Sequence, residues 1–563
     1  MFKDLLRALT RPVGFLLARV SESAASARLG QAGVVELRLD RGVKHPLVLL
    51  RHVEDAARDN SVRGLLLEIE TLPWGWATVQ EWREGLHRIR QRGCHVVAFC
   101  VSPGNRELYL ASMATRVVVP PMGEVQAVGV GGRLRFIGPL LEKLGLRFDV
   151  EAAGAYKSLG ETFTREYPSA ENREAVHELV GDLHDELVGG IAQARELSVE
   201  RVQELIDRSP MSADEALEAG LIDRVGYDDA LDELLEELLG EAPNRVPYRG
   251  VEMLLRAASS MDDFLSPDPV VAVVHLSGPV TMSRQPSSRN RISPAEALPI
   301  LRALREHQDV KAVVLAVDSP GGSVLASDLI WREVQRLNQD KPVIASFGDV
   351  AASGGYYISA PVRRIVARPG TMTGSIGVVG GKLVTGKASA QLGVFTEAVD
   401  RGRNVGMYHP DQPFTEEQRE RFKARLEQTY AGFVGRVAEG RGKEPEEVEP
   451  LARGRVWSGR RAAELGLVDE LGGLDEALRQ ARSEASLGPA ENWRRADLIV
   501  RPARSWLMDM VPMAARVFFD GMGLGSLLMG FEASLGTLPQ LTDFVVEHSG
   551  EPLALLPGSL ELD

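Results

Sequence analysis

The sequence predicts an α/β fold built twice in tandem. Three observations carry that prediction: β-branched runs of strand length alternate with amphipathic segments of helical spacing, glycine-rich turns separate them, and the pattern recurs about 248 residues further on. RGLLLEIETLPWG (Arg63–Gly75) is answered by KAVVLAVDSPGGS (Lys311–Ser323). KLGLRF, ending at Phe148, is answered by AQLGVF, ending at Phe395, and MSADEALEAGLIDRVG (Met211–Gly226) by WSGRRAAELGLVDELG (Trp457–Gly472). Three matched blocks in one order mark an internal duplication. The expected organisation is an N-terminal extension (1–29), a first repeat domain (30–250), a linker (251–268), a second repeat domain (269–490) and a C-terminal tail (491–563).

The N-terminal extension mixes Lys3, Arg7, Arg11 and Arg19 with Leu5, Leu6, Leu9 and Phe15, the composition of an interfacial helix broken at Pro12 and, equally, of a frayed helix packed on its own protein. Its longest uncharged run, Pro12–Ala18, falls far short of the ~20 apolar residues needed to span a bilayer. Arg19 and Glu22 interrupt the apolar core that a signal peptide ending at Ala25–Ala27 would require. The reading for compartment is membrane-associated or cytoplasmic, with peripheral membrane contact. In the second repeat VVAVVHLSGPV, AVVLAV and PVIASF read as buried strands and DLIWREVQRLNQ as the intervening helix, which gives βαβ units with right-handed crossovers. Ser212 and Ser458 are expected helix N-caps, and Gly220 and Gly466 the matching stops. The tail holds an uncharged run, Gly521–Phe531, too short to span a membrane and read either as a membrane-contacting patch or, better, as a helix packed on a neighbouring subunit.

Composition narrows the function. With a formal net charge of -14 and no basic stripe, nucleic acid is excluded as a partner. The two cysteines, Cys94 and Cys100, flank one strand and would stand roughly 20 Å apart, too far to bridge. No His/Cys cluster has zinc-ligand spacing, and no metal or cofactor is expected.

Two segments of the second repeat carry chemistry. DSPGGS (Asp318–Ser323) follows a strand, and its glycines allow a sharp turn that aims N–H groups at an oxyanion. DVAASGGYYIS (Asp349–Ser359) sets Ser353 between a strand and a helix start, where the N–H of Gly354 would face the same point. Taken locally, Ser353 reads more readily as a small turn residue than as a nucleophile. A nucleophile needs a base, and the histidines offer none: His275 sits in an apolar strand, and His307 and His409 lie in polar loops. A buried lysine with a lowered pKa serves the same purpose, and the candidates are Lys157, Lys382 and Lys387. Lys382 and Lys387 lie in a stretch that reads as exposed and polar.

DSPGGS, AASGGYYIS and TMTGSIGV, in that order, together with GAYKS (Gly154–Ser158), resemble the signal peptide peptidase A or protease IV group of serine peptidases in its long, duplicated form, over residues 31 to 488. The resemblance implies a fold related to crotonase and Clp protease subunits, and a Ser-Lys dyad with Ser353 as nucleophile and Lys157 as general base. It also implies Ser375 as the hydroxyl holding the lysine amine, and Gly322 beside Gly354 as oxyanion donors. The implied partners are peptides, among them released apolar signal peptides bound extended along a strand edge, and further copies of the chain in a homo-oligomer. The duplication gives an internal check. Lys157 falls on Asn404 at an offset of 247, Ser353 falls on Arg106, or on Asn105 at 248, and Gly321 and Gly322 fall on Pro73 and Trp74. Each repeat lacks the half of the site that the other keeps, so one site per chain is expected. The competing readings are a crotonase-like acyl-thioester enzyme, which needs neither Ser353 nor Lys157, and a non-catalytic membrane-associated scaffold.

Overall fold

The computed structural model describes residues 33–248 except 44 and 59, together with 269–282, 291–488, 494–499, 553–555 and 561–562. The expected interfacial helix at 1–29 and the apolar run at 521–531 lie outside the described residues. Two compact units emerge: one comprises residues 1–131, 180–269 and 563, the other residues 132–179 and 270–562. Part of the first repeat, residues 132–179, therefore belongs with the second.

In the first unit six parallel strands lie in the order Asn244–Pro247, Gly33–Leu39, Val62–Ile69, His95–Cys100, Arg116–Val119 and Arg224–Val225. The second unit repeats that order with Arg494–Ile499, Val270–Ser277, Val310–Ser319, Val343–Ala352, Arg364–Ala367 and Glu470–Leu471, all parallel, so the duplication is visible strand by strand. Period-two alternation explains the layering of the second sheet. Along Val270–Ser277, Val270, Ala272, Val274 and Leu276 enter one core with Ile330, Val334 and Phe433, while Val271 and Val273 enter another with Leu474, Ala477 and Leu478. A sheet covered on both faces requires continuous apolar runs, which these strands have. Each such valine, leucine, isoleucine or phenylalanine side chain contributes about 1.5–3 kcal/mol through burial.

The local signals behave as expected. Ser212 accepts from Glu215 N at 3.3 Å in a capping box, Ser458 accepts from Arg461 N at 3.1 Å, and Gly220 and Gly466 have φ of 77° and 71°. Cys94 and Cys100 are buried free thiols. His275 is satisfied by Asp497, with 2.9 Å between Nε2 and Oδ1.

Three details differ from expectation. First, the strand read as PVIASF continues to Ala352, and Gly321–Ser323 of the DSPGGS turn is itself a short strand. Second, the repeats register at 248 in the segment that matters: helix Gly138–Lys143 answers Gly386–Gln391, and left-handed Gly145 and Gly154 answer left-handed Gly393 and Gly402. Lys157 thus answers Val405, which is no more basic than Asn404. Third, Lys382 is not a surface residue. It is 1% exposed, and its Nζ donates to the carbonyls of Met407 at 2.8 Å and His409 at 2.9 Å, over the Phe414 ring. Its strand turns it inward, and residues 407–414 close over it. Lys387 is exposed, as expected.

Candidate active site

All the candidate residues belong to the second unit. Strand Val343–Ala352 delivers Ser353, which sits at φ 55°, ψ -116° as the N-cap of the short helix Gly354–Ser359. Left-handed backbone is unfavourable for serine and fixes the residue at a sharp strand-to-helix bend. Its N–H donates to Gly374 O at 2.8 Å, tying the bend to strand Met372–Gly374. Gly355 is required there, because a Cβ would stand 2.8 Å from Ser319 O.

Lys157 comes from the 132–179 segment, which reaches the sheet through strand Arg147–Ala153, antiparallel to Val378–Val384. Its Nζ lies 2.6 Å from Ser353 Oγ, 2.9 Å from Ser375 O and 3.0 Å from Ser375 Oγ. Ser353 and Ser375 are fully buried and Lys157 is 3% exposed. Burial pushes the lysine well below its ordinary pKa of 10.5, since an ammonium there would lose its hydration without a carboxylate to replace it. Ser375 also has positive φ, 49°.

Gly322 comes from the strand Gly321–Ser323, held by Ser323 N donating to Val280 O and Val280 N donating to Gly321 O, both at 2.8 Å. A Cβ on Gly354 would stand 3.1 Å from Gly322 N, so the two backbones approach as closely as glycine allows. Ser353, Lys157, Ser375, Gly354 and Gly322 are therefore brought together, whereas Lys382 makes its contacts in the loop at Met407 and His409, and Lys387 is on the surface.

Two features went unread in the sequence. Between strands Gly321–Ser323 and Val378–Val384 runs a short antiparallel strand, Leu553–Leu555, pairing Gly322 with Ala554 and Val379 with Leu553. Segment 453–457 backs the lysine: Tyr156 N donates to Arg453 O at 2.7 Å, and a Cβ on left-handed Gly454 would stand 2.6 Å from Lys157 N. Gly454, three residues before Trp457 in ARGRVW, was the available signal.

Buried serine and lysine within hydrogen-bond reach, beside two glycine backbones, can support nucleophilic acyl transfer. Comparison with known proteins agrees with that chemistry. The chain is 31% identical over 516 residues to "Serine protease SPPA, chloroplastic" of Arabidopsis thaliana, covering 90% of this chain and 73% of that one. It is 29% identical over 483 residues to "Protease 4" of Salmonella typhi, covering 83% and 77%. Among solved structures, a ClpP1 mutant of Listeria monocytogenes matches 37% of this chain and 94% of its own, at 16% identity and a TM-score of 0.25. Peptidase family S49 matches residues 90–240 and 335–488, one segment in each repeat. The chain belongs to Peptidase family S49 and is a serine peptidase.

Proposed function

We propose that the protein is an endopeptidase working through a Ser353–Lys157 dyad, and the observation that carries this is the buried 2.6 Å contact between Nζ and Oγ. A neutral lysine amine has two N–H donors and one lone pair. With the donors spent on Ser375 O and Oγ, the lone pair faces Ser353. The amine takes the hydroxyl proton as Ser353 attacks the peptide carbonyl. The oxyanion develops against the N–H groups of Gly354 and Gly322, and the lysine then protonates the leaving amine and activates the water that releases the acyl group. This route asks nothing of a metal or cofactor.

Extended apolar peptides, such as released signal peptides, are the proposed substrates. Strand Leu553–Leu555 supports this, because it occupies the slot beside Gly322 with β pairing on both sides, the way an added peptide strand would bind. The test is hydrolysis of a synthetic apolar signal-peptide sequence followed by mass spectrometry. Internal cleavage by the native chain, absent from Ser353→Ala and Lys157→Ala, is expected. Cleavage persisting in Lys157→Ala would remove the lysine from the mechanism.

We also propose a homo-oligomer, supported by the duplication. Strand Arg147–Ala153 pairs with Val378–Val384 inside the chain, and Gly145 O accepts from Ala388 N at 3.1 Å. Of the counterparts, residues 395–400 form no strand, while Gly132 and Arg133 already pair with Leu562 and Glu561. Residues 394–400 are wholly exposed, with Phe395 82% and Val399 92% exposed, and nothing lies within 4 Å of a Cβ on Gly393. Applying the internal register, residues 395–399 of one copy would pair with 132–136 of the next, Phe395 opposite Phe136 and Ala398 opposite Arg133. The short strand Glu561–Leu562, which pairs with Gly132 and Arg133, would be flanked or displaced. Head-to-tail contacts of this kind close into rings when the rotation allows.

A further inference from the structure

The general base is held by its neighbours, and the arrangement behind it is more elaborate than a turn requires. Residues 453–455 are sandwiched between the lysine turn and the serine that receives its amine. On one side Arg453 O accepts from Tyr156 N. On the other, Gly454 N donates to Ile376 O at 2.8 Å, and Arg455 O accepts from Ser375 N at 2.6 Å. A Cβ on Gly154 would stand 2.6 Å from Arg453 O, and one on Gly377 would stand 2.7 Å from Gly454 Cα. Three backbones are thus in direct contact, and the middle one sets the spacing between Lys157 and Ser375.

What fixes the middle strand of that sandwich is Arg455. Its guanidinium, in a side chain only 11% exposed, stands 4.7 Å from the Tyr156 ring centroid and 4.5 Å from that of Trp457. Its NH1 donates to Tyr156 Oη at 3.1 Å and meets Glu174 at 2.9 Å, and its NH2 meets Glu178 at 2.6 Å. Tyr156 Oη in turn donates to Glu174 at 3.1 Å. Glu174 and Glu178 lie one turn apart on helix Ala170–Arg195, so the planar fork takes both carboxylates while stacking on the ring beside the lysine.

We propose that Arg455 is a positioning residue for the general base, clamping Tyr156 so that Lys157 Nζ is held on Ser353, and offsetting one of the two carboxylate charges that favour a protonated lysine. The inference rests on the Ser353–Lys157 reading. The charged groups around the turn are Glu171, Glu174 and Glu178 on the helix, Arg455 itself, and the Arg453–Glu449 ion pair on the backing segment. The contacts of Lys157 Nζ are with Ser353 and Ser375. Lysine acts as base only when neutral, so extra negative charge nearby moves the rise of activity to higher pH.

The test is the pH dependence of Ser353 labelling by a fluorophosphonate, measured on the full chain for wild type, Lys157→Met, Arg455→Met, Arg455→Lys and the triple variant Arg455→Met/Glu174→Gln/Glu178→Gln, each with its thermal midpoint. Arg455→Met is expected to label at least 10-fold more slowly at pH 7, with its rise displaced upward by about one pH unit, the effect of one charge at ~10 Å and an effective dielectric of ~20. The triple variant, whose cluster carries no charge where the wild type carries one net negative charge, should move the rise below the wild-type pH while staying slow. Arg455→Lys, which keeps the charge but loses the fork, should be slow at an unshifted pH. An Arg455→Met profile superimposable on wild type overturns the inference, as does slow labelling explained wholly by the unfolded fraction. Wild-type labelling of Lys157→Met would instead overturn the general-base reading itself.

Discussion

Replacing Gly322 by alanine tests whether its N–H serves the oxyanion. A Cβ at this position would stand 1.9 Å from Val280 O and 2.8 Å from Val280 C, both backbone atoms. Carbon and oxygen in contact sit at about 3.5 Å, so the two strands must separate by roughly 1.5 Å. That displacement falls on the Ser323 N to Val280 O bond of 2.8 Å, which holds the strand Gly321–Ser323 in place. A misplacement of about 1 Å at a reacting centre costs on the order of 100-fold in rate, and loss of one oxyanion donor costs about 100- to 1000-fold. Gly322→Ala should therefore lower kcat for an activated ester or peptide by 100- to 1000-fold, about 2.7–4 kcal/mol. Forcing a methyl into packed backbone should also cost about 1–3 kcal/mol of stability, read as a fall in thermal midpoint. Gly435→Ala is the control: it lies in helix Glu416–Arg441 with open space around its Cβ, and should leave kcat unchanged while stabilising slightly. A Gly322→Ala enzyme whose kcat stays within threefold of wild type would refute the oxyanion assignment.

Lys157→Met should stabilise the protein at neutral pH while abolishing activity. Burial lowers the folded-state pKa of the lysine, so between that value and 10.5 the unfolded chain binds more protons, and the stability supplied by the lysine falls as pH falls. Urea melts from pH 6 to 10 should show that slope in wild type and a flatter line in Lys157→Met; equal slopes would contradict a neutral buried amine. Lys382→Met removes two hydrogen bonds, to the buried carbonyl of Met407 and the part-buried one of His409, and should lower stability by about 2 kcal/mol, with the pH of the labelling rise unchanged. A shifted rise would place Lys382 in the chemistry. Arg133→Cys combined with Ala398→Cys should give a disulfide-linked ladder of chains on mild oxidation, whereas Arg133→Cys with Glu397→Cys, one residue out of register, should not; equal linking of both would refute the strand register.

The duplication, the strand and helix order, and the complementary loss of serine and lysine were legible because they are properties of local pattern and of comparison within one chain. Ser212 and Ser458 could be placed for the same reason, since a cap is decided within four residues. Lys382 was misread because the segment that follows it, residues 385–391, is polar, while its burial depends on the inward face of strand Val378–Val384 and on residues 407–414 folding over it. Arg455 was unread because its partners, Tyr156, Glu174 and Glu178, lie almost 300 residues earlier in sequence, and no local pattern announces an ion cluster assembled over that distance. Strand Leu553–Leu555 pairs with glycines more than 200 residues away and is too short for periodicity to reveal.

The central claim is that Ser353 is the nucleophile and that Lys157 activates it. The most direct measurement is to treat the chain with a fluorophosphonate at pH 7, digest it and map the adduct by mass spectrometry. The account predicts one adduct per chain, on Ser353, that falls by at least 100-fold in folded Lys157→Met. An adduct on another residue, or undiminished modification of Ser353 without the lysine, would contradict it.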